Sequence, residues 1–187
     1  MKKIILSTLV LIALSACKKE NTRVNETAPS SDSASVANNP EPEKAAYFNP
    51  ETSPEKVGQI LAQNNDTVYV TNFFATWCGP CMREIPHFKD KMQELKNKPV
   101  KFTFISLDDK SEWNGAVKKF AEENNLAAHI VLLDGQKLEP NFFKNNFKQW
   151  DGGSIPFTHI RKGDKTDETL GMMSEDMLNS KINSFLK

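Results

Sequence analysis

The chain has 187 residues, with 24 basic against 24 acidic side chains and 39% hydrophobic residues. That is an ordinary globular mix, long enough for one domain plus extensions. The balanced charge gives no electrostatic footprint for nucleic acid, and three cysteines, Cys17, Cys78 and Cys81, are too few for a disulfide-stapled scaffold.

The chain opens with Lys2 and Lys3, then an apolar run from Ile4 to Leu14, then Leu14-Ser15-Ala16-Cys17. The run is about a dozen residues, the length of a signal h-region and short for a membrane span. An ordinary export signal with a chance cysteine is the plain alternative. Small residues followed directly by cysteine resemble the bacterial lipobox. That resemblance implies cleavage after Ala16 and diacylation of Cys17, and multiple acyl chains anchor a protein stably to a membrane. By resemblance to lipoprotein sorting in enteric bacteria, Lys18 after the lipidated cysteine favours the outer membrane. The expected location is the cell envelope, facing the periplasm.

The organisation predicted is a signal peptide over 1–16, a lipidated cysteine and flexible linker over 17–53, and one folded domain over 54–187. Ser, Asn, Ala, Pro and Glu dominate the linker, with no aromatic before Tyr47, so it buries too little to offset its ordering entropy. Ser53-Pro54-Glu55-Lys56 reads as an N-cap with proline at the first helical position, and Val57, Ile60 and Leu61 form a helical stripe. Thr67 to Phe74 is β-branched and aromatic, a buried strand. Gly79 to Asn97 reads as a helix, Val100 to Leu107 as a strand, Ser111 to Asn125 as a helix and Ile130 to Leu133 as a short strand. Leu138 to Phe147 reads as a helix. Pro156 to Arg161 and Thr166 to Leu170 read as a hairpin turning at Lys162-Gly163-Asp164, and Ser174 to Leu186 as a closing amphipathic helix. Alternating strands and helices predict an α/β domain, a central mixed sheet with helices on both faces.

The chemistry gathers at Cys78-Gly79-Pro80-Cys81, where a buried strand meets a helix. Cysteines at i and i+3 on a first helical turn can bond. The first sits where unpaired N–H groups and the helix dipole favour an anion, which suits Cys78 as the attacking thiolate. Cys81, deeper in the helix, suits the resolving role. Pro80 lacks a donor, which costs nothing in a first turn, and Trp77 offers an apolar shield and platform. Half of a zinc site is the other reading of such a pair, but no second C-x-x-C and no close His pair completes it.

Phe73 to Cys81, with Pro86 five residues on and Ser154-Ile155-Pro156 downstream, closely resembles the thioredoxin superfamily over roughly residues 54–187. The resemblance implies the thioredoxin fold and a cis Ile155–Pro156 bond packed opposite the cysteines. It also implies a substrate groove touching Trp77, Gly79, Pro80, Ile155, Pro156 and Gly171. Within the superfamily the chain looks most like the TlpA/ResA-type exported reductases. Asn72 stands where cytoplasmic thioredoxins carry a buried Asp, Cys81 to Pro86 resembles the C-x-x-E-x-P continuation, and an extra helix and strand occupy about Ser111 to Leu133. Two departures stand out: the group's N-terminal β-hairpin is short or missing, and Phe157 follows the proline where Thr is usual.

Glu84 lies three residues after Cys81, on the same helical face. If buried, its pKa rises and it can exchange protons with the cysteines; otherwise it is a surface glutamate. His159 near a dithiol would make a copper site the non-enzymatic alternative. Met172, Met173 and Met177 read as packing around the last helix, and Asp108-Asp109 as a turn after a strand. The expected activity is protein-disulfide reduction by Cys78 attack and Cys81 resolution, with cytochrome c maturation or repair of exported thiols as its setting, the Cys78–Cys81 pair as the only redox centre, and neither metal nor cofactor. The expected partners are exported proteins bearing disulfides, a membrane thiol reductant as electron donor, and the membrane through Cys17. A monomer is expected. The alternatives are a disulfide-forming oxidase, a copper chaperone, and a redox-inert binding module.

Overall fold

A computed structural model describes residues 47–187, so the signal peptide, Cys17 and most of the linker lie outside the described residues. Six strands form one sheet in the order β1-β4-β3-β2-β5-β6. These are β1 (Glu51–Thr52), β2 (Val68–Phe74), β3 (Val100–Ser106), β4 (Ile130–Leu133), β5 (Phe157–Lys162) and β6 (Lys165–Leu170). The first four run parallel, while β5 runs antiparallel to β2 and β6 antiparallel to β5. The helices are α1 (Pro54–Leu61), α2 (Gly79–Glu94), α3 (Lys118–Glu123), α4 (Pro140–Asn146) and α5 (Glu175–Leu186). This is the thioredoxin fold with the expected helix–strand insertion, α3 and β4, between β3 and the hairpin.

The ends of these elements follow from local chemistry. Ser53 caps α1, its Oγ accepting from Lys56 N at 3.3 Å with Pro54 just inside, so one first-turn donor is satisfied and another never existed. Ser174 caps α5 in the same way, accepting from Met177 N. Gly163, at φ +56° in the β5–β6 turn, takes a conformation that costs glycine little.

The central strand β2 divides the interior. Successive side chains point to opposite faces, so Val68, Val70 and Phe74 join one core with Cys78, Cys81, Phe88 and Phe104. Phe73 joins a second core with Leu133, Phe147, Trp150 and Phe157. The second core holds the loop before β5. Trp150 stacks on Phe157 at 4.5 Å and tilts against Phe73 at 4.6 Å, while its indole N–H donates to Ser154 O at 2.8 Å. The buried ring therefore fixes the backbone that enters Ile155 and Pro156.

Several expectations need correction. Residues 47–53, read as the end of the linker, belong to the folded domain. Glu51 and Thr52 pair with Leu132 and Leu133, Tyr47 packs edge-on against Trp113 at 4.6 Å, and Glu51 binds Lys110 and Lys137 at 2.9 and 2.5 Å. Those two cations hold the Glu51 carboxyl well below the usual carboxylate range, at about 2. The helix expected over Ser111 to Asn125 is three pieces: a 3-10 turn (Lys110–Glu112), a π turn (Trp113–Val117) and α3. Trp113 is anchored by its N–H to Asp108 O at 2.9 Å, and the wider turn lets both Trp113 and Val117 be buried. α2 stops at Glu94 rather than Asn97, and α4 begins at Pro140 and ends at Asn146, leaving Phe147 extended and buried in the second core.

Candidate active site

The site forms where β2 ends and α2 begins. Cys78 is the N-cap of α2, and its Sγ accepts from Cys81 N at 3.2 Å. A backbone donor and a helix N-terminus thus face the one sulfur, the arrangement that stabilises a thiolate once the pair is reduced. Cys78 and Cys81 are joined as a disulfide, with Cα atoms 5.3 Å apart. Cys78 keeps 5% of its surface exposed and Cys81 none, so an incoming group meets Cys78 first. Gly79 and Pro80 fill the turn between them, where Pro80 forgoes a donor that the first turn leaves unused.

Across from the pair, the Ile155–Pro156 bond is cis, and Ile155 O lies 3.7 Å from Cys78 Sγ. Gly171 N donates to Pro156 O at 2.9 Å, with Gly171 at φ +87° and nothing near a would-be Cβ. The chain leaving β6 therefore passes beside the proline with open space above it. A cleft of about 540 Å³ runs between Trp77, Gly79 and Pro80 on one wall and Gly152 to Ile155 on the other. Trp77 stands 70% exposed at its mouth: it offers a platform there instead of sealing the pair. The six residues that resemblance assigns to a groove thus border this cleft or the cis-proline.

Glu84 lies one turn beyond Cys81 and is fully buried. It accepts from Asn72 Nδ2 and from Met173 N, each at 2.8 Å. Burial pushes its carboxyl up to about 7, against the partial relief of those two bonds. Asn72 also donates to Thr158 Oγ1 at 3.0 Å, while its Oδ1 is buried with no partner among the described residues. Met173 is buried in the dithiol-side core, but Met172 and Met177 are exposed, so the three do not pack as one group.

His159 does not join the dithiol. On β5 it points to the face opposite Asn72 and Thr158, against the Phe147 ring at 5.9 Å. Burial there drives its pKa down to about 4, with the charges of Glu168, Arg161 and Asp167 as lesser influences. A copper site built from the cysteines and His159 is therefore not available. Among the described residues no group of three or more His, Cys, Asp or Glu side chains is placed to hold a metal ion.

One contributor escaped the sequence reading. Asp108, expected only as a turn, is fully buried behind the active-site loop and binds Thr76, two residues before Cys78. The two positions are far apart in the chain, and only the parallel pairing of β2 with β3 brings them together.

The Redoxin family model matches residues 24–146. Thioredoxin Asp f 28 of Aspergillus fumigatus is 33% identical over 105 residues, which span 49% of this chain and 88% of that protein. The thiol-disulfide oxidoreductase ResA of Oceanobacillus iheyensis is 40% identical over 57 residues, a stretch of 29% of this chain and only 30% of ResA. Among solved structures, a thiol:disulfide interchange protein of the thioredoxin family from Chlorobium tepidum superposes with a TM-score of 0.53 at 18% identity. That match covers 66% of this chain and 82% of the other, and bears on the fold alone.

Proposed function

Because the chain belongs to the Redoxin family and is a thioredoxin-superfamily thiol–disulfide oxidoreductase of the TlpA/ResA type, we propose that it is a membrane-anchored reductase of disulfides in exported proteins. The observation that carries the proposal is Cys78 at the N-cap of α2, 5% exposed, with its sulfur facing Cys81 N and Ile155 O.

In the reduced protein the Cys78 thiolate attacks one sulfur of a substrate disulfide. The substrate S–S bond breaks, the leaving thiolate takes up a proton, and a Cys78–substrate mixed disulfide forms. Cys81 then loses its proton and attacks Cys78 Sγ, which expels the second substrate thiolate and closes the Cys78–Cys81 disulfide. Glu84, with a pKa near neutrality and one helical turn from Cys81, accepts and returns that proton. An extended substrate segment lies in the cleft beside Trp77, Gly79 and Pro80, pairs with the backbone at Ile155, and passes against Pro156 and Gly171. The pair is the whole redox centre, and a membrane thiol reductant restores the dithiol after each turnover. Lipidated Cys17 holds the domain at the envelope on its linker, in the periplasm and at the outer membrane. Apocytochromes c that must be reduced before haem attachment are the substrate class favoured. Gly79-Pro80 between the cysteines favours the reducing direction over disulfide formation.

Equilibration of the purified protein with defined thiol buffers, with Cys81→Ser as control, tests the direction. A potential near or below that of thioredoxin, about −270 mV, is expected. A value near that of DsbA, about −120 mV, would make the protein a disulfide-forming oxidant instead.

A further inference from the structure

Asp108 is a fully buried acid two residues beyond the end of β3. Its carboxylate accepts from Thr76 N at 3.0 and 3.1 Å, from Thr76 Oγ1 at 2.5 Å and from Ser106 Oγ at 2.9 Å. Each of these neighbours is a neutral donor, the setting that suits an acceptor-only carboxylate. The bonds fasten the turn that delivers Cys78, whose own N–H closes that turn on Ala75 O at 3.1 Å. The backbone also carries Asp108 O to the Trp113 indole at 2.9 Å, so the acid is anchored on both of its sides.

The carboxylate therefore has two consequences. It fixes the Thr76 turn, and it places a negative charge against the residue two before the one whose sulfur must become a thiolate. A fixed negative charge disfavours a nearby thiolate, opposing the pull of the α2 N-terminus. Whatever raises the free energy of the reduced pair relative to the disulfide makes that pair a better reductant.

Other charges act on the same site. Arg83 and Glu84 come from α2, with Arg83 Nη1 3.5 Å from the position of a Cβ on Gly79. Asp151 comes from the loop before Pro156, occupied with Gly153 N at 2.9 Å. Asp109 and Lys110 follow Asp108 itself, and Lys110 is held by Glu51 and Asp134 at 2.9 and 3.5 Å. Of these acids, only Asp108 is bonded to the loop that carries Cys78.

We infer that Asp108 is a positioning residue that sets the redox poise of the Cys78–Cys81 pair, holding the Thr76 turn in place and its own charge against the Cys78 thiolate. The inference rests on the reductase reading for what that poise is used for. The test compares variants with the parent, so it does not depend on the parent's absolute potential.

Asp108→Asn removes the charge with little change of shape. Thr76→Val keeps the charge but deletes one of its donors, leaving the carboxylate less satisfied. Both are made in the full-length protein and reduced. The pH profile of Cys78 alkylation by iodoacetamide and the equilibrium with dithiothreitol are then measured. In D108N the alkylation midpoint falls by about one pH unit, and the equilibrium moves about tenfold toward the dithiol, which is about 30 mV more positive. In T76V the midpoint rises. A purely mechanical clamp would loosen the loop in both variants and shift both the same way. A fall in both, or no change in D108N, overturns the inference. If D108N does not fold, T76V decides alone: a rise supports the role, and a fall or no change refutes it.

Discussion

Glu84 and His159 lie on opposite faces of the sheet, and their buried ionisations set opposite pH slopes on stability. The Glu84 carboxyl is raised from 4.5 to about 7, so the folded protein keeps a proton that the unfolded chain releases. Folded-state proton binding is greater between those values, and stability therefore falls as pH rises from about 4.5 to 7. His159 is lowered from 6.5 to about 4. There the unfolded chain binds the extra proton, and stability falls as pH drops from 6.5 to 4. At about 1.4 kcal/mol per unit, each shift amounts to about 3 kcal/mol over its window. The two slopes nearly cancel between 4.5 and 6.5 in the parent.

Glu84→Gln removes one slope. The glutamine oxygen can still accept from Met173 N, and once the Asn72 amide flips, the glutamine amide can donate to Asn72 Oδ1, which has no partner among the described residues. Urea denaturation from pH 5 to pH 8, with the disulfide intact, should show the variant gaining on the parent by up to about 3 kcal/mol across the range. His159→Gln should unmask the opposite slope, losing stability as pH rises from 5 to 7. Every other carboxylate is common to parent and variant, so the difference isolates one group. If E84Q and the parent run parallel across this range within about 0.5 kcal/mol, burial has not perturbed Glu84 as described, and its proposed proton transfer at neutral pH loses its basis.

Three further outcomes follow from the geometry. Cys81→Ser leaves the accessible sulfur without its resolver, so a thiol-labile mixed disulfide should accumulate on non-reducing gels. Cys78→Ser should form none, and the reverse pattern would exchange the two roles. Trp150→Ala removes a ring stacked on Phe157 and the N–H that holds Ser154 O; it should cost about 3–5 kcal/mol in urea denaturation, and a loss under 1 kcal/mol would show that the loop is held otherwise. Gly152→Ala puts a Cβ at φ +90° into the Phe143 ring and should destabilise by about 1–3 kcal/mol, checked by thermal melting; an unchanged melting temperature would mean the loop shifts freely.

Much of this architecture was legible in the chain because it is written in local periods. The β-branched and aromatic run of β2, the proline after the Ser53 cap, and the cysteine pair at a strand-to-helix junction each need only a few adjacent residues. What was not legible depends on distant partners. Glu51 and Thr52 carry no strand pattern of their own, and become β1 only because β4 offers an edge and two lysines bind the glutamate. The face of α2 that carries Glu84 follows from spacing, but its acidity follows from burial and from Met173, 89 residues away. His159 follows the cis-proline in the chain, which suggests a place beside the cysteines, yet strand alternation sends it to the other face. The π turn at Trp113 answers to the indole's bond with Asp108 O, which no helical period announces.

The division of the interior by β2 has a consequence for how such a protein can change. Phe73 and Phe74 are neighbours in the chain but serve different halves of the site, one bracing the loop that greets the substrate and the other backing the sulfurs. Mutations on the first side would act on the wall of the cleft, and mutations on the second on the packing behind the sulfurs. The sheet stands between them, and Ile155, which packs against both cores, is where they meet. A duplicated copy of this domain would thus have two largely separate sets of positions to vary, one around the cleft wall and one behind the dithiol, joined at Ile155.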